Sequence, residues 1–368
     1  MQMNERASRL PLAPLLLIAP FFLWGTAMVA MKGAIAHTSP LFMAGIRILP
    51  AGILILIFAA SRGKPQPQGW KAWCWIGLFA LVDGSLFQGF LAEGLVRTGA
   101  GLGSVMIDSQ PIAVALMSLW LFQERIGLWG WLGLALGVTG ISCIGLPDEW
   151  ILSLFSSPVF SHSGLHLPLL SASEAVNYLQ SNLHLLLDSG ESLMLLAALS
   201  MAVGTVMIRF VCKYADPVTA TGWHMILGGL PLWGISAVSE TEQWSGLVTS
   251  DWLALGYATI FGSAIAYALF FYFASSGSLT SLSSLTFLTP VFALLFGNLL
   301  LGEVLTTVQW SGVGLTLVSI YLINQRDNFA VNNKKLTIKE ITAPQPPNPI
   351  TLPMRESEVG VKIRGEEY

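Results

Sequence analysis

Residues 97–145, RTGAGLGSVMIDSQPIAVALMSLWLFQERIGLWGWLGLALGVTGISCIG, are matched without a gap by a stretch that begins 179 residues later. This second stretch, residues 276–324, reads SGSLTSLSSLTFLTPVFALLFGNLLLGEVLTTVQWSGVGLTLVSIYLIN. Both contain the spacing Ser-x6-Pro-x12-Glu-x6-Trp-x-Gly, in which the Pro interrupts a long apolar run and the Glu closes it. The matched pairs are Ser104 and Ser283, Pro111 and Pro290, Glu124 and Glu303, Trp131 and Trp310, Gly133 and Gly312. The sequence therefore predicts two copies of one structural unit.

The composition predicts an integral membrane protein. Hydrophobic residues make up 54% of the 368 residues, charged residues only 11%, and the mean hydropathy is +0.66. Soluble domains contain about 25% charged residues. The formal net charge of -3 is too small to indicate a nucleic-acid partner. The expected environment is the lipid bilayer.

The apolar runs predict an all-α fold with ten transmembrane helices. Crossing the hydrocarbon requires about 20 mostly apolar residues in a helix, and strands of membrane barrels would alternate in segments of about ten residues. The predicted spans are 11–31, 40–60, 71–92, 103–123, 128–146, 192–212, 218–238, 251–273, 280–301 and 308–324.

The distribution of Lys and Arg predicts the orientation of the chain. A cytoplasmic N-terminus places most cations inside: Arg6, Arg9, Arg62, Lys64, Lys71, Arg125, Arg209, Lys213, Arg326, Lys334 and Lys335. Only Lys32 and Arg97 then lie outside. Both termini are therefore expected in the cytoplasm, with the bacterial plasma (inner) membrane as the location. Because each unit has an odd number of helices, the second unit enters the membrane from the opposite side, which predicts an inverted repeat.

Four segments follow from this organisation. The expected boundaries are 1–146 for the first repeat, 147–191 for an external connector, 192–325 for the second repeat and 326–368 for a cytoplasmic tail. The connector contains a capping-box pattern, Ser171-x-x-Glu174, followed by leucines at helical spacing, which predicts a short amphipathic helix. The tail is polar and contains several Pro residues, which predicts disorder.

The sequence contains no pattern typical of an enzyme, a metal site or a cofactor site. Cys74, Cys143 and Cys212 are widely spaced and lie in or beside apolar runs, as expected of small buried side chains. His162 and His166 have no neighbouring Cys or carboxylate that would complete a metal site. We therefore expect neither catalysis nor a cofactor.

Three ionisable residues interrupt the first unit's spans: Arg47, Asp83 and Asp108. A charge at mid-bilayer costs on the order of 2.5–3.5 kcal/mol, so such residues should face a cavity or each other. Two hypotheses remain open. Either Arg47 pairs with Asp83 or Asp108 as a structural lock, or at least one acid contacts substrate or carries a proton. In the second unit, His224 occupies the position of Arg47.

Helical geometry suggests which residues line a path near the two Pro residues. At 100° per residue, Asp108 and Pro111 share one face while Gln110 lies nearly opposite. Phe287 and Pro290 occupy the matching face of the second unit. One wall is thus expected to be acidic and the other aromatic. Each Pro also leaves a carbonyl without its helical hydrogen bond, which marks a hinge or a ligand contact.

Aromatic residues on two further spans have two interpretations. Trp24 lies in the first predicted span and Tyr267 in the eighth. Packing explains their position, and so does an aromatic wall for a substrate.

The doubled Pro-to-Glu-to-Gly unit resembles the EamA-like family of the drug/metabolite transporter superfamily. The resemblance covers residues 12–146 and 192–324. It implies a ten-helix inverted-repeat exporter of small metabolites, such as amino acids, with a central cavity between the repeats. The lining residues that it implies by position are Trp24, Asp83, Asp108, Pro111, Tyr267, Phe287 and Pro290.

The predicted function is secondary-active efflux of a small, amphipathic or aromatic metabolite by alternating access. The sequence contains no ATP-binding motif, so a gradient would supply the energy, and protonation of Asp108 or Asp83 is the expected coupling step. A homo-oligomer is compatible with the sequence. Two alternatives are a receptor or scaffold that binds a partner through residues 147–190, and an organic-anion or sugar-phosphate exchanger that uses Arg47.

Overall fold

The computed structural model describes residues 13–98, 100–148, 151, 189–302 and 304–341, and this part of the chain contains helices and no strands. Eight of these helices are long and apolar enough to cross a membrane. The predicted all-α membrane class is therefore confirmed. Residues 152–188, which include the predicted connector helix, lie outside the described residues, as do Glu303 and residues 342–368.

Six helices form the first half of the chain, with a 3₁₀ turn at Ala34–His37 after the first of them. They are α1 (Ala13–Met31), α2 (Pro40–Ser61), α3 (Gly69–Arg97), α4 (Ala100–Ile107), α5 (Gln110–Phe122) and α6 (Gly127–Gly145).

Six more helices form the second half. They are α7 (Gly190–Val211), α8 (Pro217–Ser239), α9 (Thr249–Ala274), α10 (Leu279–Ser284), α11 (Leu288–Leu301) and α12 (Thr307–Ile341). Helix α12 continues past the predicted end of the second repeat at residue 325, into the segment predicted to be a disordered tail. No Gly or Pro occurs between that boundary and Pro344, so nothing in the local sequence ends the helix earlier.

Two of the long helices contain a π-helical segment at corresponding places. In α3 the segment is Ala80–Phe87, and in α9 it is Ala258–Ile265. Each has a Gly-Ser pair inside it. The α3 segment packs on α7 and α8, whereas the α9 segment packs on α1 and α2. Each half of the chain therefore inserts its irregular segment between the first two helices of the other half.

Helical geometry is also interrupted just before Pro111 and Pro290. Helix α4 ends at Ile107 and α5 begins at Gln110, with 3₁₀-like hydrogen bonds from Ser109 N to Met106 O and from Ile112 N to Ser109 O. In the second half, the 3₁₀ turn Leu285–Phe287 precedes α11. A Pro ring has no N–H and clashes with the preceding turn, so the α-helical ladder is broken on its N-terminal side.

Glycines allow the two halves to approach closely. A methyl group at Gly52 of α2 would lie 2.6 Å from the Gly222 carbonyl of α8, and one at Gly140 of α6 would lie 2.9 Å from the Gly312 carbonyl of α12. In addition, the Ser319 hydroxyl donates to the Gly133 carbonyl at 2.6 Å. Close approach of small residues with hydrogen bonds across helices is typical of packing within membranes.

Candidate functional site

The centre of the bundle contains a hydrogen bond between the two halves of the chain. Gln88 lies at the start of the last α-helical part of α3, and Tyr267 lies near the start of the last part of α9. The Gln88 amide Nε2 donates to the Tyr267 hydroxyl at 2.6 Å, and both side chains are buried. The two residues are 179 apart, the same interval that separates the matched stretches. The contact therefore joins nearly equivalent positions of the two repeats.

Arg47 extends this polar cluster from α2. Its Nη2 donates to the Gln88 Oε1 at 2.6 Å, while its buried Nε has no hydrogen-bond partner. The structure thus differs from the hypothesis that Arg47 pairs with Asp83 or Asp108. Helix α2 faces the part of α3 that presents Gln88, so the guanidinium meets a neutral amide instead of a carboxylate.

The carboxylate of Asp83 is occupied by His224, which reaches it from α8 of the other repeat. Their atoms Oδ2 and Nε2 are 3.1 Å apart, and both side chains are at most 1% exposed. Asp83 is at the midpoint of α3, inside the π-helical segment. The imidazole also stacks on Phe79, with ring centroids 4.1 Å apart. The pair is thus enclosed at the middle of a membrane span.

The hydrogen bonds of His224 define how many protons the pair holds. Its Nδ1 lies 2.7 Å from the Thr221 carbonyl, which can only accept, so Nδ1 carries a proton. Between Nε2 and Asp83 Oδ2 there is then room for one shared proton. With that proton the pair is neutral overall, either as a carboxylic acid and imidazole or as a carboxylate and imidazolium. Gain or loss of a proton would leave a net charge inside the membrane.

Helix α7 approaches Asp83 through a residue without a side chain. A methyl group at Gly204 would lie 2.6 Å from Asp83 Cβ, so only Gly fits here. The second carboxylate oxygen, Oδ1, is buried and has no hydrogen-bond partner. A buried unpaired carboxylate oxygen is costly, and such groups frequently belong to functional sites.

Aromatic rings connect the Arg47 cluster with the Asp83–His224 pair. Trp24 packs on Tyr267, with ring centroids 5.2 Å apart, and Tyr267 contacts Phe271 at 6.0 Å. Phe271 in turn contacts both His224 at 5.4 Å and Phe79 at 4.9 Å. The indole Nε1 of Trp24 is buried without a hydrogen-bond partner. The structure therefore brings Trp24, Arg47, Asp83 and Tyr267 into one region.

The other predicted site residues lie at the interrupted helices. Asp108, which is 9% exposed, occupies the break between α4 and α5, and Pro111 lies in the first turn of α5. Phe287 is fully buried in a separate hydrophobic cluster with Leu134 and Ile141 of α6. Pro290 lies in the first turn of α11. Phe287 thus packs towards α6, outside the rings around Trp24 and Tyr267.

Gln110 is buried against helix α7. It is 1% exposed, and its Nε2 lies 3.2 Å from the Thr205 hydroxyl of α7. The projection assumed 100° per residue through Asp108 and Gln110, but the helix is broken between them. Angles counted across such a break do not describe the actual faces.

Glu124 caps a helix of the other repeat. Glu124 follows α5 and precedes α6 in the chain. In the structure its carboxylate accepts from the Ser278 hydroxyl and from the backbone N–H groups of Leu279 and Thr280, at the start of α10. Arg209 strengthens the same contact by donating to the Gly277 carbonyl. Glu124 thus closes one end of the bundle between α5 and α10.

An acid also holds the N-terminus of α2 at the other end. Glu240, which follows α8, accepts from the Leu41 and Phe42 backbone N–H groups at 2.9 and 3.0 Å and from the Ser39 hydroxyl at 2.7 Å. At the matching start of α8, Asp216 accepts from the Val218 N–H and pairs with Lys64, which follows α2, at 3.0 Å.

The described residues offer no cluster of three His, Cys, Asp or Glu side chains that could hold a metal ion. Chemically, this arrangement offers a buried acid–imidazole pair and an aromatic wall, each contributed by both halves of the chain, together with the half-buried cation Arg47 from the first half.

Comparison with known families agrees with this architecture. The EamA-like transporter family matches residues 11–146 and 188–325, which are the two predicted repeats with nearly the same boundaries. The chain belongs to the EamA-like transporter family.

Several curated relatives of this EamA-like protein are named as transporters. The uncharacterised transporter sll0355 of Synechocystis is 60% identical over 90% of this chain and 95% of the relative. The WAT1-related protein At3g02690, chloroplastic, of Arabidopsis thaliana is 50% identical over 84% of this chain and 68% of the relative. A solved crystal structure aligns with a TM-score of 0.64 at 17% identity, covering 84% of this chain and 97% of that one. This EamA-like protein is therefore a membrane transporter and not an enzyme.

Sequence reasoning missed Gln88 and Thr205, and it gave His224 no partner. The sequence does contain a signal for Gln88: it is a polar residue inside a predicted span, and Tyr267, which also has a polar group, lies 179 residues later, the interval between the matched stretches. The pairing of His224 with Asp83 had no comparable signal. It depends on how α3 and α8 cross, which spacing along either helix does not specify.

Proposed function

We propose that this EamA-like protein is a secondary transporter that exports a small amphipathic metabolite by alternating access. Its ten helical regions would form two inverted five-helix repeats, with both termini in the cytoplasm and the plasma membrane as its location. The observation that carries the proposal is the buried polar region at mid-span, to which both repeats contribute. Substrate sites of secondary transporters commonly lie at such a repeat interface, near irregular helix segments.

The reciprocal packing of the π-helical segments supports a two-state movement. Each segment is held by the first two helices of the opposite repeat, so a rotation of one half against the other changes both contacts together. The broken helices before Pro111 and Pro290 supply flexible points in the same halves. Glu124 bonds the start of α10 at one end of the bundle, and Glu240 bonds the start of α2 at the other. These two sets of hydrogen bonds would break alternately during the cycle.

The Asp83–His224 pair is the group best suited to couple proton movement to this cycle. It holds one shared proton, and a change of protonation becomes tolerable only when water or substrate reaches Asp83. Because the two residues belong to different repeats, separation of the halves would part them. Other polar groups near the pair are Tyr267 on α9 and Arg47 on α2, whereas α7 contributes Gly204.

Reconstitution into proteoliposomes tests the proposal. Vesicles loaded individually with amino acids and with aromatic acids would be assayed for efflux with and without an imposed pH gradient. We expect efflux of at least one compound to depend on the gradient and to lose that dependence in the Asp83→Asn and His224→Gln variants. Gradient-dependent flux that persists in the double variant Asp83→Asn, Asp108→Asn would contradict acid coupling. No efflux of any compound from vesicles that contain folded protein would contradict transport of these classes.

A further inference from the structure

The Arg47 cluster contains the features of a carboxylate-binding site. We infer that Arg47, together with the indole N–H of Trp24, binds the carboxylate group of the transported molecule next to Tyr267. The inference rests on the proposed transport function for the route by which the ligand arrives. It goes further by naming the anchoring residues and the charge of the substrate.

Among the residues that the structure describes, no Asp or Glu pairs with Arg47. Its side chain donates to Gln88, a neutral amide, and the nearby Asp83 carboxylate is already paired with His224. Since the Asp83–His224 pair is neutral as a whole, it does not balance the guanidinium. Arg47 is half-buried, and a charge that is partly withdrawn from water is normally paired, because it loses hydration without compensation. An anionic group on a ligand would supply the missing partner.

Two hydrogen-bond donors near Tyr267 are also unused. The Nε of Arg47 and the Nε1 of Trp24 are both buried, and neither has a hydrogen-bond partner. Arg47 reaches Tyr267 through Gln88, and the Trp24 ring packs directly on the Tyr267 ring. An N–H group can only donate, so both positions require an acceptor. A carboxylate accepts several hydrogen bonds and carries the charge that Arg47 lacks.

The surroundings limit the ligand to a single carboxylate on a largely apolar body. Phe21 and Phe270 contact Trp24 at 5.7 and 5.2 Å, and Phe271 contacts Tyr267, so rings cover the cluster on the side of α1 and α9. No second Lys or Arg among the described residues joins the cluster, although a phosphate dianion would call for more than one cation. This environment favours an aromatic or aliphatic carboxylate over a sugar phosphate.

Both donors are buried, so no ligand can reach them in this conformation. Trp24 belongs to α1, Arg47 to α2 and Tyr267 to α9, so a ligand needs α1 and α9 to separate. Such a movement is part of alternating access, and binding would then stabilise the opened form. A purely structural Arg47 that only positions Gln88 makes a different prediction, because ligand charge would not matter to it.

The test uses purified full-length protein in detergent micelles and thermal unfolding with matched probe ligands. The probes are 3-phenylpropionate, phenylalanine and indole-3-propionate, each compared with its neutral amide. Binding to the folded state raises its apparent stability in proportion to affinity and concentration. We expect stabilisation by at least one acid and none, or much less, by its amide.

Variants assign the effect to Arg47. Arg47→Gln should weaken acid binding by about 30-fold or more, as expected when one partner of a buried, hydrogen-bonded charge pair is removed. Arg47→Lys keeps the charge and should retain part of the binding. Trp24→Phe should weaken it less, because only one hydrogen bond is lost. The control Lys71→Gln changes an exposed cation outside the cluster and should leave binding unchanged.

Several outcomes would overturn the inference. In one, no acid raises the apparent stability of the protein more than its amide does. In another, folded Arg47→Gln binds the acid as tightly as the unchanged protein. Transport of amines or amides in preference to acids would leave the proposed transporter function intact while removing the carboxylate assignment. Conversely, Arg47-dependent acid binding without any flux would support the site and contradict transport.

Discussion

Arg47 and His224 occupy the same position in two related helices, yet their environments differ. Each is the eighth residue of its helix, Arg47 in α2 and His224 in α8. His224 meets the acid Asp83 and forms a neutral pair, whereas Arg47 meets the neutral amide of Gln88 and keeps an unbalanced charge. The repeat thus provides two equivalent helix positions, and the side chains give them different chemistry.

This difference suggests a division of work within the transport cycle. In the Asp83–His224 pair the charges balance within the protein, which suits a group that binds and releases a proton. In the Arg47 cluster the guanidinium charge is not balanced by a described residue, which suits a group that binds an anionic ligand. Two identical sites would provide either two proton sites or two anion sites, whereas the proposed proton-coupled cycle needs one of each.

The largest loss of stability is expected when the Asp83–His224 pair is broken. His224→Leu leaves Asp83 buried without its partner, which should cost about 3–5 kcal/mol of unfolding free energy. Arg47→Leu should cost less, about 1–3 kcal/mol, because it removes a charge and leaves only the Gln88 Oε1 unsatisfied. SDS titration in mixed micelles, followed by tryptophan fluorescence, measures both. Equal losses in the two variants would contradict the distinction between His224, which is paired with an acid, and Arg47, which contacts a neutral amide.

The double variant Asp83→Asn, His224→Leu provides the control for that measurement. If the two residues form one unit, their combined loss should be smaller than the sum of the single losses. Strict additivity would indicate that the pair does not interact.

A smaller effect is expected at the glycine that faces Asp83. Gly204→Ala places a methyl group 2.6 Å from Asp83 Cβ, so α7 and α3 must move apart, at a cost of about 1–3 kcal/mol. In the matched control Gly77→Ala, the methyl group has no heavy atom within 4 Å. That variant should be neutral or slightly stabilising, because Ala favours helix over Gly by about 0.8–1.0 kcal/mol. A Gly204→Ala variant as stable as the control would show that α7 does not confine Asp83.

The hydrogen bond between Gln88 and Tyr267 should contribute about 1 kcal/mol to the unfolding free energy. Tyr267→Phe removes the acceptor of Gln88 while keeping the ring that packs on Trp24. Tyr272→Phe is the control, because Tyr272 lies on the same helix and is 48% exposed. Thermal unfolding of the two variants should differ by a measurable shift, with Tyr272→Phe close to the unchanged protein. Identical curves would remove the Gln88–Tyr267 bond from the list of stabilising contacts.

The smallest loss of stability is expected at the ion pair between Lys64 and Asp216. Lys64→Ala removes the partner of Asp216 at the start of α8, and Lys64 is 37% exposed in this pair. The loss should stay below about 1 kcal/mol and should shrink further at high salt. Unfolding at two ionic strengths measures this. A loss that is large and insensitive to salt would indicate that Lys64 has a buried role that the structure does not show.

Much of the fold could be predicted from the sequence. Each of the ten apolar runs overlaps a helix, and eight helices of the described residues are long and apolar enough to cross a membrane, because a helix that crosses lipid must satisfy its own backbone and therefore needs a long continuous apolar stretch. The matched Pro residues also located the two interruptions. The exact end of the last helix was wrong by many residues, since the change from apolar to polar sequence does not end a helix when no Gly or Pro follows.

The candidate site was predictable only in part. Asp83, Trp24 and Tyr267 could be selected because polar and aromatic residues in spans are conspicuous, and the structure brings them together. Their partners could not. The structure pairs His224 with a residue 141 positions away and Glu124 with one 154 positions away, and it places Gln110 beside Thr205, which is 95 positions away.

The sequence by itself therefore determined that the protein is helical, spans the membrane and contains one unit twice, since hydropathy and repeat spacing are local properties that add up along the chain; the transport function came from the resemblance to the EamA-like family. Only the tertiary structure decided that Asp83 belongs to His224 and that Arg47 is left with a neutral amide. Those choices depend on how the π-helical segment of α3 sits between α7 and α8, where a Gly at position 204 admits the carboxylate. Contacts across helices are set by packing geometry, and packing geometry is not written in the spacing of any one helix.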